Sequence, residues 1–375
     1  MLSFWEKESF IQYDYIVIGS GIVGLSAAIS IKEKYPHKSV MVLERGLLPA
    51  GASTRNAGFT TFGGVSELLH DLKTMKPQAV FNLVAQRWEG LRLLRERLGD
   101  STIDYKNHGG YEFIFNNENI SVNEVEQINE FLLPLFDKEV FRIDNSAIKK
   151  FGFNVNFIKH CLYTPFEGQI HTGKMMKALH GLALKHQIEI KTGADVLDIQ
   201  SAPKHVEVVV QNSIYQNTLN FRSEQCIVCT NAFTGHFFPE MDIVPGRGQV
   251  LITAPIPDLP FKGIFHFDAG YYYFRNIDNR ILFGGGRNLD FETERTTQFA
   301  LNNQIQKKLD YYLKNLIIPN FKYTVEQRWS GIMAFGNEKT PIVKRVDSRI
   351  ITGVRMNGIG VALGTKVGIQ LAEML

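Results

Sequence analysis

The sequence predicts an α/β protein: a Rossmann-like nucleotide-binding domain into which an α+β domain of mostly antiparallel sheet is inserted. Three observations carry that expectation. The chain opens with an apolar strand, the run Gly19, Ser20, Gly21, Ile22, Val23, Gly24 in G-x-G-x-x-G spacing, and a small-residue helix. It closes with "SRIITGVRMNGIGVALGTKVGIQLAEML", again strand, glycine-rich turn and helix. Between them, two strand-rich blocks flank a return of the nucleotide-domain pattern. Glycine-rich helix starts at both ends place both termini in one domain, residues 1–107, 166–238 and 331–375, with 108–165 and 239–330 forming the second.

Each element has a local reason. Gly19 permits the tight strand-to-helix turn, Gly21 lets backbone approach a pyrophosphate, and Gly24 lets the helix pack closely on the strand. The helix N-terminus then offers free N–H groups to phosphate. A second strand, "SVMVLERG", ends in Glu44, twenty residues after Gly24, where an acid accepts hydrogen bonds from a ribose 2′-OH. FAD and NAD both fit this unit. Residues 47–64 form a glycine-rich segment without periodicity, and loops of that length tend to be functional. Val80, Val84, Trp88, Leu91, Leu94 and Leu98 recur at intervals of three and four, marking a helix that Gly99 closes, with Pro77 separating it from a shorter helix before it. "GGYEFIF" reads as a strand and "VNEVEQINEFLLPLF" as a helix. "KMMKALHGLALKHQ" predicts a helix, followed by the strands "IEIKTGADVLDIQ", "HVEVVVQ" and "EQCIVCTNAF". A β-rich block from "GRGQVLITAP" to "GYYYFRNIDNRILFGGG" precedes a helix expected from about Thr296 to Leu316, carrying Phe299, Leu309, Leu313 and Leu316.

Composition excludes several classes. With 375 residues the chain is long enough to bury a sizeable core, and 44% hydrophobic with 21% charged residues is globular texture. A net charge of +3 without a Lys/Arg block offers no footprint for nucleic acid. No apolar stretch reaches the ~18 residues needed to span a bilayer, and "MLSFWEKESFIQ" lacks a signal-peptide core; the expected location is the cytoplasm. Cys161, Cys226 and Cys229 suit a reducing compartment. The C-x-x-C lies in a strand-like run, where residues three apart face opposite sides, so buried thiols are expected and no metal site.

The pieces in order, "VIGSGIVG", Glu44, "GASTRNAG", "GQIHTGKMMKAL", "VCTNAFTG", "VPGRGQV", "GYYYFR", "RWSGI" and "MNGIGVALGTKVG", resemble the flavin-dependent amine and amino-acid oxidoreductases of the D-amino-acid oxidase superfamily, nearest the glycine oxidase and sarcosine oxidase branch. The resemblance covers nearly the whole chain and implies FAD. It implies that Gly19, Ser20, Gly21 and Gly24, with Ile22 and Val23 between them, hold the pyrophosphate and that Glu44 and Arg45 take the adenosine side. Ser53, Thr54, Arg55, Asn56, Ala57 and Gly58 would pass along the pyrophosphate and ring, and the Val196 backbone would meet the adenine. Asn357, Gly358, Ile359, Gly360 and Val361 would wrap the isoalloxazine edge, where a helix start stabilises negative charge on the reduced ring. No cysteine follows Cys229, so the C-terminal flavin linkage of the sarcosine oxidase branch has no counterpart and non-covalent FAD is expected.

The resemblance also implies the chemistry: a neutral amine's C–H delivers hydride to flavin N5, water hydrolyses the imine, and electrons pass to oxygen or a quinone-like acceptor. Amino-acid-oxidising members grip the substrate carboxylate with an arginine after the "WxG" element, but in "RWSGIMAFG" that position is Met333. Either Arg275, Arg287 or Arg355 takes over, or the substrate lacks an α-carboxylate. The family tyrosine carries over to Tyr271, and Asp268 just before it is placed to pair with a distant cationic amine. Tyr271 and Tyr273 are expected on one side of a strand and Tyr272 on the other. His171 and His266 read first as structural, and Lys174 and Lys177 as a solvated helix face. Alternatives on the same scaffold are a flavin-dependent 2-hydroxy-acid dehydrogenase, a sensing flavoprotein, and the FAD domain of a tRNA-modifying enzyme.

Overall fold

In the computed structural model, which describes residues 2–212 and 217–375, the chain builds two eight-stranded sheets. Strands of the first fall within residues 12–44, 189–228 and 342–354; those of the second fall within 110–115, 142–164, 244–285 and 325–335. At the centre of the first, Gln12–Ile18 runs parallel to Val40–Glu44 on one side and to the distal half of Asn217–Val228 on the other. Glu189–Thr192 and Ile350–Val354 extend the parallel run at either end.

These strands are near-continuous apolar runs because both faces are covered. Val17, Val42, Ile227 and Ile351 pack beneath helices Ile22–Lys34, Pro77–Leu98, Thr172–Lys185 and Gly360–Glu373. Ile16, Met41, Cys226 and Ile350 face the other way, onto Val196, Val206, Val208 and Val210 of two antiparallel strands. Cys226 and Cys229 lie in these two separate clusters, as their spacing predicts, and Cys161 in a third; all three are free thiols that burial pushes well above the ordinary cysteine range. The ends of the chain meet where the last helix lies on the first nucleotide-domain helix. A Cβ on Gly364 would fall 2.5 Å from Ile22 Cγ2, and one on Gly368 2.5 Å from Ser26 Cβ, so small residues set how closely these helices approach.

The second sheet has the order Val325–Phe335, Val244–Thr253, Arg280–Gly285, Tyr272–Ile277, Ile264–Phe267, Gly110–Phe115, Ile158–Thr164, Arg142–Ile143. It is antiparallel except where Ile264–Phe267 meets Gly110–Phe115. One face carries an aromatic core in which Phe265 stacks on Phe274 at 4.7 Å and Phe267 on Tyr272 at 5.0 Å. The helix expected from Thr296 begins instead at Asn303, capped by the Asn302 side chain, and ends in a π-turn over Leu313–Ile317. Leu309, Leu313 and Leu316 are buried as expected, joined by Ile305, whereas Phe299 lies before the helix and is exposed. Residues 294–302 are withdrawn from the helix because Glu294 is buried against Arg247 and Phe299 lies over the Arg55 guanidinium.

Candidate active site

A single cavity of about 1050 Å³ runs from the C-terminal ends of the first sheet's strands to the uncovered face of the second. At its nucleotide end the local geometry follows from the glycines. Gly19 has φ +104°, and a Cβ on Gly24 would lie 1.9 Å from the Gly19 carbonyl oxygen, so the helix sits directly on the turn. A Cβ on Gly21 would lie 2.8 Å from Ser53 Oγ, which accepts from the first helical amide, Ile22 N–H, at 3.0 Å. Glu44, 8% exposed, faces the cavity but is already engaged. Its Oε2 accepts from Ser20 N–H and Oγ–H, and its Oε1 from Gly46 N–H at 2.9 Å. Gly19, Gly21, Ile22, Val23, Arg45 and Val196 line this end, whereas Ser20 and Gly24 lie behind it. A helix N-terminus, a cradle that a Cβ would fill and an acid at the end of the second strand together fit an ADP moiety.

The segment after residue 47 forms the floor. Asn56 Oδ1 accepts from Gly58 N–H at 2.9 Å and its Nδ2 donates to the Ser53 carbonyl at 2.8 Å, folding the loop on itself. Arg55 donates to the Ser330 carbonyl, and Trp329 Nε1 donates to the Arg55 carbonyl, tying the loop to the second sheet. Ser53, Arg55, Asn56, Ala57 and Gly58 line the cavity. Thr54 does not: its hydroxyl donates back to the Pro49 carbonyl, so this expected contact is corrected. At the far end Asn357, Gly358, Ile359, Gly360 and Val361 line the wall at the start of the last helix. Asn357 has φ +49° and its Nδ2 donates to the Lys339 carbonyl at 2.9 Å.

The wall opposite is built by the second sheet. Tyr271 and Tyr273 face the cavity while Tyr272, 1% exposed, is in the aromatic core. Met333 is on the cavity wall; a Cβ on Gly358 would be 3.6 Å from its sulfur. Two expectations are corrected. Asp268 is not on the cavity wall: it holds left-handed backbone, φ +53°, and its carboxylate accepts from Asn288 Nδ2 at 2.9 Å. Arg355, φ +64° and 4% exposed, is turned away from the cavity and donates to Asp242 Oδ2 at 2.6 Å and the Thr340 carbonyl at 2.9 Å. Arg275 is also off the cavity wall: its Nη1 donates to the Gly58 and Ile170 carbonyls, and its Nε is buried without a partner. Arg287 alone of those three lines the cavity.

Sequence reasoning missed Phe335, two residues after Met333 on the same strand and thus on the same face, and the charged wall formed by Glu67, Arg87 and Lys339. Arg87, 1% exposed, donates to Glu67 and the Phe62 carbonyl, and Lys339 pairs with Asp71. His171 caps a helix by accepting from Lys174 N–H, whereas His266 reaches the cavity beside Glu112. Behind it Glu167, 1% exposed, accepts from the cavity-lining Thr61 hydroxyl, and burial raises it to about 7. No group of His, Cys, Asp and Glu among the described residues is placed to hold a metal ion, and no helix among them is long and apolar enough to cross a membrane.

The fold is shared with known proteins. Similar solved structures include L-proline dehydrogenase from P. horikoshii, at TM-score 0.76 and 15% identity over 97% of this chain and 93% of that one. Glycine oxidase from Geobacillus kaustophilus matches at TM-score 0.76 and 18% identity, covering 97% and 95%. Among curated proteins, the probable oxidoreductase OrdL of Haemophilus influenzae is 23% identical over 96% of this chain and 82% of its own length. The bifunctional protein ThiO/ThiG of Nostoc sp. is 21% identical over 92% of this chain, which spans 50% of that longer protein. The model of the DAO family, described as FAD-dependent oxidoreductases, matches residues 14–374, and the chain belongs to that family.

Proposed function

We propose that this protein oxidises the C–N bond of a small amine or amino acid, with FAD held non-covalently. The observation that carries the reading is the continuity of one cavity from the Gly19–Gly24 turn to a wall of Tyr271, Tyr273, Met333 and Phe335, which leaves room beside the last helix for a small substrate. The cofactor would be held by the Gly19–Gly24 turn, Glu44, Arg45, Val196, the 53–58 loop and residues 357–361. When bound, FAD supplies the two-electron oxidant that takes hydride from the carbon bearing nitrogen. The chain's own residues orient the substrate and exclude water. Tyr273 has no hydrogen-bond partner among the described residues, and burial pushes its hydroxyl up to about 12, so it remains a neutral donor facing the cavity. Met333 presents a thioether where a carboxylate would find no partner. Oxygen or a quinone-like compound is the proposed acceptor.

The test is anaerobic mixing of the holoenzyme with amines, amino acids and 2-hydroxy acids while the flavin band is followed. Bleaching by amines or amino acids is expected. Bleaching by hydroxy acids alone overturns the reading in favour of a 2-hydroxy-acid dehydrogenase. Acid precipitation should leave a yellow supernatant; a yellow pellet would refute non-covalent binding.

A further inference from the structure

Among the described residues, the cavity wall away from the nucleotide end carries one cation without a hydrogen-bond or ion-pair partner. Four arginines line the cavity: Arg45, Arg55, Arg87 and Arg287. Arg55 is held by the Ala50 and Ser330 carbonyls and Arg87 by Glu67 and the Phe62 carbonyl. Arg45 stacks on Phe233, 4.1 Å from the ring centroid, at the nucleotide end beside Glu44. Lys339 is paired with Asp71. Arg287 makes no side-chain hydrogen bond or ion pair among the described residues. Its guanidinium lies 3.9 Å from the Phe335 ring centroid and 4.7 Å from that of Phe291, so it is held by two aromatic rings that take up none of its N–H groups as hydrogen-bond donors. Burial disfavours its charge, so an incoming anion gains from a cation that water screens poorly.

The surroundings hold this guanidinium in place. Gly286 N–H donates to the Tyr271 carbonyl at 2.9 Å, and Asn288 Nδ2 donates to Asp268, so the residues on either side of Arg287 are pinned to the turn that presents Tyr271. Gly246 is the register partner of Met333 on the neighbouring strand. Phe335 folds across Gly246, 2.5 Å from where its Cβ would be, and Arg287 Nη1 lies 3.3 Å from that same point. The guanidinium therefore sits over Gly246, on the strand paired with that of Met333, while the Met333 methyl reaches over Gly248 on that same strand.

We propose that Arg287 anchors an acid group on the substrate, and that this acid lies several bonds from the C–N bond that is oxidised, as in an ω-amino acid. The inference rests on the amine-oxidation reading above. Arg287 reaches the cavity from over the strand next to Met333, not from the Met333 position itself, and the thioether at Met333 offers an α-carboxylate no charge. Arg287 thus sets specificity through a bidentate pair with a remote carboxylate.

The test compares 4-aminobutyrate and 5-aminopentanoate with butylamine and 2-aminobutyrate, reading anaerobic flavin reduction by the wild-type holoenzyme and by Arg287→Met and Arg287→Lys. The wild type is expected to prefer the ω-amino acids over both comparators by at least ~10-fold. Arg287→Met should lower kcat/KM for the ω-amino acids by at least ~30-fold while leaving butylamine within ~2-fold, with Arg287→Lys intermediate. Equal treatment of all four compounds by the wild type, or equal loss on butylamine and the ω-amino acids in the variant, overturns the proposal. A binding arm separates the two readings. Glutarate, which carries no amine, should raise the wild-type Tm and not that of Arg287→Met. If no amine bleaches the flavin, the amine reading fails while the glutarate shift still decides the role of Arg287; a shift that survives the substitution refutes it.

Discussion

Glu167 is the group whose titration most directly tests the energetics of the cavity wall. It is 1% exposed, its Oε1 accepts from Thr61 and Phe62 N–H, and its Oε2 is buried without a partner, so burial raises it from the ordinary 4.5 to about 7. The Glu112 carboxylate adds to the rise and His266 opposes it. Between those two pH values the folded state binds the extra proton, and stability falls as pH rises through that window. The linkage takes away ~1.4 kcal/mol by pH 5.5 and ~3 kcal/mol by pH 8.5. Glu167→Gln keeps the shape and the acceptor for Thr61 but carries no charge. The variant should therefore gain ~2 kcal/mol more over wild type at pH 8.5 than at pH 5.5, roughly 3 °C in Tm. Thermal unfolding of the holoenzymes at both pH values measures it. A stability gap that is the same at both pH values would show that Glu167 is an ordinary ionised carboxylate in the fold.

Other substitutions separate packing from recognition. Gly24→Ala places a Cβ 1.9 Å from the Gly19 carbonyl oxygen and should cost ~3 kcal/mol with loss of bound flavin, read from the absorbance ratio after gel filtration. Arg275→Met leaves the Ile170 carbonyl without its side-chain donor while the Gly58 carbonyl keeps the Ile170 N–H; an expected cost of ~1–3 kcal/mol and weaker flavin retention are checked the same way. Arg355→Met removes the cation beside Asp242, which keeps its bonds from Asn337, and the donors to the Thr340 carbonyl; it should lower stability by ~1–2 kcal/mol with KM unchanged, because the side chain lies off the cavity, and a KM effect specific to acid-bearing substrates would restore it as a substrate residue. Met333→Arg supplies a guanidinium beside Gly358 and should improve kcat/KM on small α-amino acids by at least ~10-fold in steady-state assays.

The glycine turn and the acid beside it were legible in the sequence because their logic is local. Gly19, Gly21 and Gly24 act within one turn, and Glu44 ends the adjacent strand, so spacing alone brings them together. The buried helix face of Leu309, Leu313 and Leu316 was legible for the same reason, whereas the start of that helix depended on Glu294 meeting Arg247 across 47 residues. Asp268 and Arg355 were misplaced because nearness in sequence to a motif says nothing of direction. Each adopts a positive φ, and each side chain turns to a partner, Asn288 or Asp242, that no local pattern reveals.

The substrate side shows why that distinction matters for function. Met333 could be flagged from sequence as a missing arginine, but the replacement proposed above rests on strand pairing rather than on motif. The glycine at 246 opens space beside Met333, Phe335 fills it with a ring, and that ring supports a guanidinium arriving from a different hairpin. Asp268 contributes to the same arrangement by a route other than direct contact, since its bond to Asn288 steadies the turn on which Arg287 stands. A charge lost from one strand and regained over its neighbour alters where a carboxylate can sit relative to the flavin end of the cavity. That changes the length of substrate the site accepts while the residues around the nucleotide stay the same.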